Sequence, residues 1–116
     1  MTPPIVSHHL LLCAAPTKAS GSCIGRGQGD ASWNILKQLV KDLRLDSPDR
    51  PQGIVLRTKA DCLRVCFHGP ILLIWPDGIW YDRATPDRIT RIIHEHVIGG
   101  EPCQDWVIRR SPFSSI

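Results

Sequence analysis

The apolar positions fall into short runs separated by segments rich in turn residues. HHLLLCAA (8–15) is a nearly unbroken apolar run of buried-strand length that stops at Pro16. Residues 16–29 are mostly small, with repeated Gly and Ser, and read as a loop. Asp30 is a candidate helix N-cap. After it Ile35, Leu36, Leu39, Val40 and Leu43 share one helical face, while Lys37, Lys41 and Arg44 take the other. DSPDRPQG (46–53) is a turn-rich break, and IVLRTKA (54–60) reads as a strand.

Residues 61–70 form a second loop ending in Gly69-Pro70. ILLIW (71–75) is another buried strand, Pro76-Asp77-Gly78 a tight turn, and IWYD (79–82) the returning arm of a hairpin. Thr85 caps a last helix that Pro86 starts and Gly99-Gly100 ends. Its buried stripe is Ile89, Ile92, Ile93, His96 and Val97. The pattern predicts an α/β domain in the order β-α-β-β-β-α, with a mixed four-stranded sheet and two main helices. The expected domain spans 8–108, between a flexible N-terminal tail (1–7) and a flexible C-terminal tail (109–116, RRSPFSSI).

Composition adds limits. A chain of 116 residues has room for one core. A hydrophobic share of 42% and a charged share of 22% are ordinary for a globular protein. The net charge of +3 is mild, and the basic residues are scattered without interleaved aromatics, so no nucleic-acid footprint is expected. No apolar stretch is long enough to span a membrane. MTPPIVSHHLLLCAAP lacks a basic n-region and makes a poor signal peptide, so the expected compartment is the cytoplasm.

Cytoplasmic thiols stay reduced, so five cysteines point to metal or redox chemistry before structural disulfides. The first two strands, joined by a helix, should be parallel with a right-handed crossover. Cys13 would then leave one strand and Cys62 and Cys66 the next at the same sheet edge. Cys23, in the loop after the first strand, can fold back to that edge. Cys103, after the last helix, has no such reason to join them. Four converging thiolates suit zinc or an iron–sulfur cluster. The spacing C-x9-C with a distant C-x3-C matches neither the usual zinc knuckle nor the common plant and bacterial ferredoxin runs. A C-x-x-C dithiol at a helix start is absent.

HHLLLC, Cys23, RTKADCLRVC, GPILLIWPDGIWY and IIHEHVIGGEP together resemble the thioredoxin-like, or Shethna-type, [2Fe–2S] ferredoxins. These are related to the small cluster-bearing subunit of the complex I NADH dehydrogenase. The resemblance runs over roughly residues 8 to 108. It implies a thioredoxin-like fold, one-electron transfer rather than enzymatic turnover, and often a homodimer. It also implies one [2Fe–2S] cluster, whose ligands carry over to Cys13, Cys23, Cys62 and Cys66. His68 departs from the small residue expected before Gly-Pro, and a role in tuning the cluster is expected of it. Cys103 matches no ligand position. Such a cluster is an anion whose charge grows on reduction. Lys18, Arg26, Lys59 and Arg64 in or beside the cluster loops would stabilise it and offer a basic rim to an acidic redox partner protein, while Asp61 opposes the trend.

Two readings from other classes stay open: a structural or interaction module with a four-thiolate zinc site, and a thiol-dependent oxidoreductase using Cys62 and Cys66. GRGQG (25–29) lacks the ending of a phosphate loop and reads as a flexible loop. His94 and His96, two apart on a helix, point in different directions, and His8 and His9 face opposite sides of a strand. They read as core or surface histidines, and Trp33, Trp75, Trp80 and Trp106 as core or interface. The apolar surplus of the hairpin and last helix, including Trp75, Trp80 and Tyr81, predicts a homodimer interface.

Overall fold

A computed structural model describes residues 5–13, 26–60 and 70–111, with the side chains of residues 26–28 left aside. Cys23, Cys62, Cys66 and His68, with Lys18, Asp61 and Arg64, lie outside the described residues.

The alternating strand β1 (Val6–Cys13) leads to helix α1 (Arg26–Asp42) and then to β2 (Ile54–Ala60). Strands β3 (Ile71–Trp75) and β4 (Ile79–Tyr81) form the expected hairpin about Pro76-Asp77-Gly78. The last helix opens as α2 (Pro86–Ile92) and widens into a π-helix over Ile93–Ile98. A 3₁₀ turn (Gln104–Trp106) then leads into β5 (Val107–Arg110). The sheet order is β2-β1-β3-β4-β5. As expected, β1 and β2 run parallel, and the other neighbouring pairs are antiparallel.

The sheet has five strands where the pattern suggests four. The fifth is short and carries two arginines, so its periodicity is weak. It is held by context: Ser111 N–H donates to the Gly78 carbonyl at 2.6 Å, and Trp80 Nε1–H donates to Ser111 Oγ at 3.1 Å. Arg109 and Arg110 therefore belong to a strand, and at the other end Val6 and Ser7 already belong to β1.

α1 begins a turn earlier than Asp30 predicts. Packing overrides the weak propensity of its Gly-containing start. Gly29 and Ser32 are buried, and Ser32 Oγ–H donates to the Ala84 carbonyl at 2.6 Å, fastening α1 to the segment entering α2. At α2 the expected cap is present: Thr85 Oγ1 accepts from Arg88 N–H and Pro86 occupies the first turn.

One core joins the two helices to one face of the sheet. Leu10, Leu12, Val55, Leu72, Ile74, Ile79 and Tyr81 come from the strands, Leu36 and Val40 from α1, and Ile89, Ile92, Ile93 and Val97 from the last helix. The ladder places His9, Leu11 and Cys13 on the opposite face with Leu56, Leu73, Trp75 and Trp80. Tyr81 and Ile89, Ile92 and Ile93 of the last helix are thus absorbed by the chain's own core, whereas Trp75 and Trp80 remain half-buried and Ile98 is exposed.

Candidate functional site

The sheet edge where β1 and β2 end is the candidate site. The parallel register runs from Val6 opposite Ile54 to Cys13 opposite Ala60, so both strands finish level. Cys13 is the last residue of β1 and is 1% exposed. On its other side it pairs with Ile71, the first residue of β3. The segments containing Cys23 on one side, and Cys62 and Cys66 on the other, both depart from this edge. Of the four expected ligands, Cys13 alone lies among the described residues. It is a thiol at the strand end, buried on the sheet face away from the helices, a setting and donor type that suit a soft metal centre.

Cys103 stands elsewhere. It packs against the core on the helical side of the sheet, and its amide N–H donates to Tyr81 Oη at 3.0 Å. Burial pushes its thiol above the usual range, the nearby Glu95 carboxylate adds to this, and Arg91 opposes it.

A second polar constellation is less visible in the sequence. Tyr81 Oη, fully buried, donates to His96 Nδ1 at 2.8 Å, and His96 Nε2–H donates to Asp77 Oδ2 at 2.6 Å. The Asp77 carboxylate only accepts, so His96 Nε2 carries the proton that faces it; in the neutral imidazole Nδ1 then accepts from Tyr81 Oη–H, while Tyr81 Oη accepts from the Cys103 amide. His8 Nε2 lies 3.8 Å from the same Asp77 oxygen. Burial lowers the His8 pKa, with Asp77 pulling it up and His96 and Arg50 pushing it down. Burial likewise pushes the Tyr81 phenol well above its usual range. The signal for this network is a histidine on an otherwise apolar helical stripe, which needs a buried partner. His94, by contrast, is exposed.

Among the proposed rim cations, Lys59 is described. It is exposed on β2, with Nζ 5.8 Å from the Trp33 ring centre. Arg57 lies over the same ring at 5.2 Å.

The fold is thioredoxin-like. A solved thioredoxin-like [2Fe–2S] ferredoxin from Aquifex aeolicus superposes with a TM-score of 0.72 at 21% identity, over 94% of this chain and 96% of that one. The wild-type form of the same description aligns at 27% identity with a TM-score of 0.69, over 88% and 96% of the two chains. In sequence, the chain is 28% identical over 105 residues to the protein named "Ferredoxin, 2Fe-2S" of Aquifex aeolicus (strain VF5), covering 88% of this chain and 89% of the relative. It is 28% identical over 97 residues to the protein of that name from Clostridium pasteurianum, covering 81% and 88%. No family model matches the chain. The relatives and the fold bear out the resemblance to the thioredoxin-like [2Fe–2S] ferredoxins.

Proposed function

We propose that this chain is a one-electron carrier with a single [2Fe–2S] cluster held by Cys13, Cys23, Cys62 and Cys66. The observation that carries the reading is the level ending of β1 and β2. Cys13 stands at that edge and the segments bearing the other three thiols start from it, in a chain whose relatives are named 2Fe-2S ferredoxins. Bound there, the cluster would supply a reversible one-electron couple. Cys13 would supply a ligand from a rigid strand end, and the sheet beside it would shield that side from water. Cys103 stays outside the ligand set, because the sheet lies between it and Cys13. His68 tunes the cluster without ligating it. Lys18, Arg26, Lys59 and Arg64 face a redox partner with an acidic docking surface. The protein works in the cytoplasm. No helix among the described residues is long and apolar enough to cross a membrane.

A homodimer fits the sheet face that neither helix covers, where Leu56 is exposed and Leu11, Trp75 and Trp80 are half-buried. Sedimentation at micromolar concentration should show a dimer, and monomer alone would remove this part of the reading.

The decisive experiment is the visible and EPR spectrum of protein purified without oxygen, with iron and sulfide counted. Two irons and two sulfides per chain are expected on the iron–sulfur reading. Alanine at Cys13, Cys23, Cys62 or Cys66 should abolish or badly destabilise the cluster, while Cys103→Ser should keep it whole. A colourless zinc protein, or cluster loss in Cys103→Ser, refutes the assignment.

A further inference from the structure

Charges are distributed unevenly between the two ends of the sheet. Beyond β4, Arg83 and Arg88 approach Asp82 and Arg91 pairs with Glu95, while Arg110 donates to Gln104 and Arg109 lies over the Trp80 ring. At the other end Arg50 donates to Ser7 Oγ and the Gly53 carbonyl.

The seam between α1 and the edge strand β2 is different. Asn34, Lys37, Gln38 and Lys41 of α1 line an open hollow of about 500 Å³ together with Asp46 and Arg57. Lys37, Lys41 and Arg57 are exposed, as is Lys59 two residues along β2, and among the described residues none of the four has a carboxylate within ion-pair distance. Asp46 is the one carboxylate lining the hollow. Asp42, a turn beyond, is held by the Gln38 amide at 2.8 Å. The chain has fourteen lysines and arginines against eleven aspartates and glutamates. The four cations with Asp46 carry a local net charge of +3.

Geometry orders part of this charge. Val55, Arg57 and Lys59 share the helical face of β2, and Val55 enters the core. The charged groups of Arg57 and Lys59 instead lie over the Trp33 ring, which holds them beside α1. β2 is the edge of the sheet, so no sixth strand hides these groups. Edge lysines also discourage strand-to-strand aggregation, and that role accounts for Arg57 and Lys59. It does not account for Lys37 and Lys41 on the helix, which meet Arg57 in the hollow, with Lys59 two residues further along β2.

We infer that the α1–β2 seam, formed by Lys37, Lys41, Arg57 and Lys59, is a docking surface for a carboxylate-rich protein partner. The inference rests on the electron-carrier reading for its purpose and deepens it. Lys59 is one residue from Ala60, which stands opposite Cys13, so a partner seated on the seam abuts the edge where the cysteine-bearing segments leave. Of these residues the proposed cluster rim includes only Lys59. The seam therefore extends recognition from the cluster segments onto the helix and strand beside them. Carboxylates fit better than nucleic acid here. The one aromatic of the seam, Trp33, is half-buried and already has two cations over its ring, so a base finds a poor stacking platform there.

The test uses the purified full-length holoprotein and poly-glutamate as the probe, with binding followed calorimetrically. At about 0.01 M salt, where the screening length is about 30 Å, poly-glutamate should bind, and binding should collapse near 0.15 M. Lys37→Glu with Lys41→Glu should weaken it at least about ten-fold. Arg109→Glu with Arg110→Glu makes the same change of net charge on the far edge strand and should weaken it by less than about three-fold. Equal losses in the two double variants would show that only net charge matters and would overturn the proposal. So would absence of binding, or tighter binding of a single-stranded oligonucleotide at matched charge. Iron, sulfide and the visible spectrum are measured on every sample. A protein without cluster refutes the carrier reading, whereas a cluster-bearing protein whose double variants behave alike refutes only the seam.

Discussion

Replacing Tyr81 with Phe removes one oxygen atom from the middle of the core and leaves the ring in place. That oxygen has two partners, the Cys103 amide at 3.0 Å and His96 Nδ1 at 2.8 Å, and Tyr81 is 0% exposed. No cavity of consequence forms, so the loss is one of hydrogen bonds. Each is worth about 1 kcal/mol net, and a buried imidazole nitrogen left without a donor costs a further 1–3 kcal/mol unless it relaxes. Partial relaxation of His96, still held by Asp77, brings the expected loss to about 2 kcal/mol. For a domain of this size that lowers the melting temperature by roughly 10 °C. Thermal unfolding of the holoprotein measures the total, and hydrogen exchange locates it. The Cys103 amide should exchange faster by about ten-fold beyond any uniform acceleration of the β1 amides. A variant with unchanged melting and unchanged Cys103 protection would show that the network contributes nothing and that packing alone orients His96.

Three other outcomes are expected. Gly53→Ala should destabilise by about 2 kcal/mol or more in thermal unfolding, because φ is +107° and a Cβ would sit 2.6 Å from the Ile5 carbonyl oxygen; a melting temperature within a degree or so of wild type would contradict the close approach. His8 is held below its ordinary value of 6.5, chiefly by burial, so the unfolded chain takes up its proton first as pH falls. Its contribution to stability is complete above 6.5 and is lost as pH drops through the folded-state value, and His8→Gln should flatten the difference between denaturation midpoints measured above and below that window. Cys103, its thiol raised by burial and by Glu95, should react with iodoacetamide more slowly in the native protein than in the unfolded chain near neutral pH; equal rates would place it in open solvent.

Much of the fold was legible because the strongest signals were local. ILLIW, the Pro-Asp-Gly turn and Thr85-Pro86 each specify an element by composition or cap chemistry, and the structure keeps all three. The stripe Ile89, Ile92, Ile93, His96 and Val97 is buried in full. The start of α1 was not legible, since it depends on Ser32 meeting Ala84, fifty-two residues away. β5 was missed for a similar reason: VIRR becomes a strand only because β4 offers it an edge. At the site, sequence order alone brought the β1 and β2 exits together, and the ladder agrees. The α1–β2 seam escaped notice because Lys37 and Lys41 look like the solvated face of any amphipathic helix. Their significance appears only when Arg57 is seen across from them.

One strand, β1, has His8 near its start and Cys13 at its end. Five residues at about 3.3 Å each separate them by roughly 17 Å. Asp77, in the β3–β4 turn, stands at the His8 end. A unit charge appearing there acts on the Cys13 end with about 1 kcal/mol at an effective dielectric of 20, and with less once solvent ions screen it. On the proposed ligand set, a proton taken up at the histidine end would therefore shift a one-electron equilibrium at the Cys13 end by at most about five-fold, and by less at physiological salt. Distance along β1 thus weakens the coupling between the two ends without abolishing it.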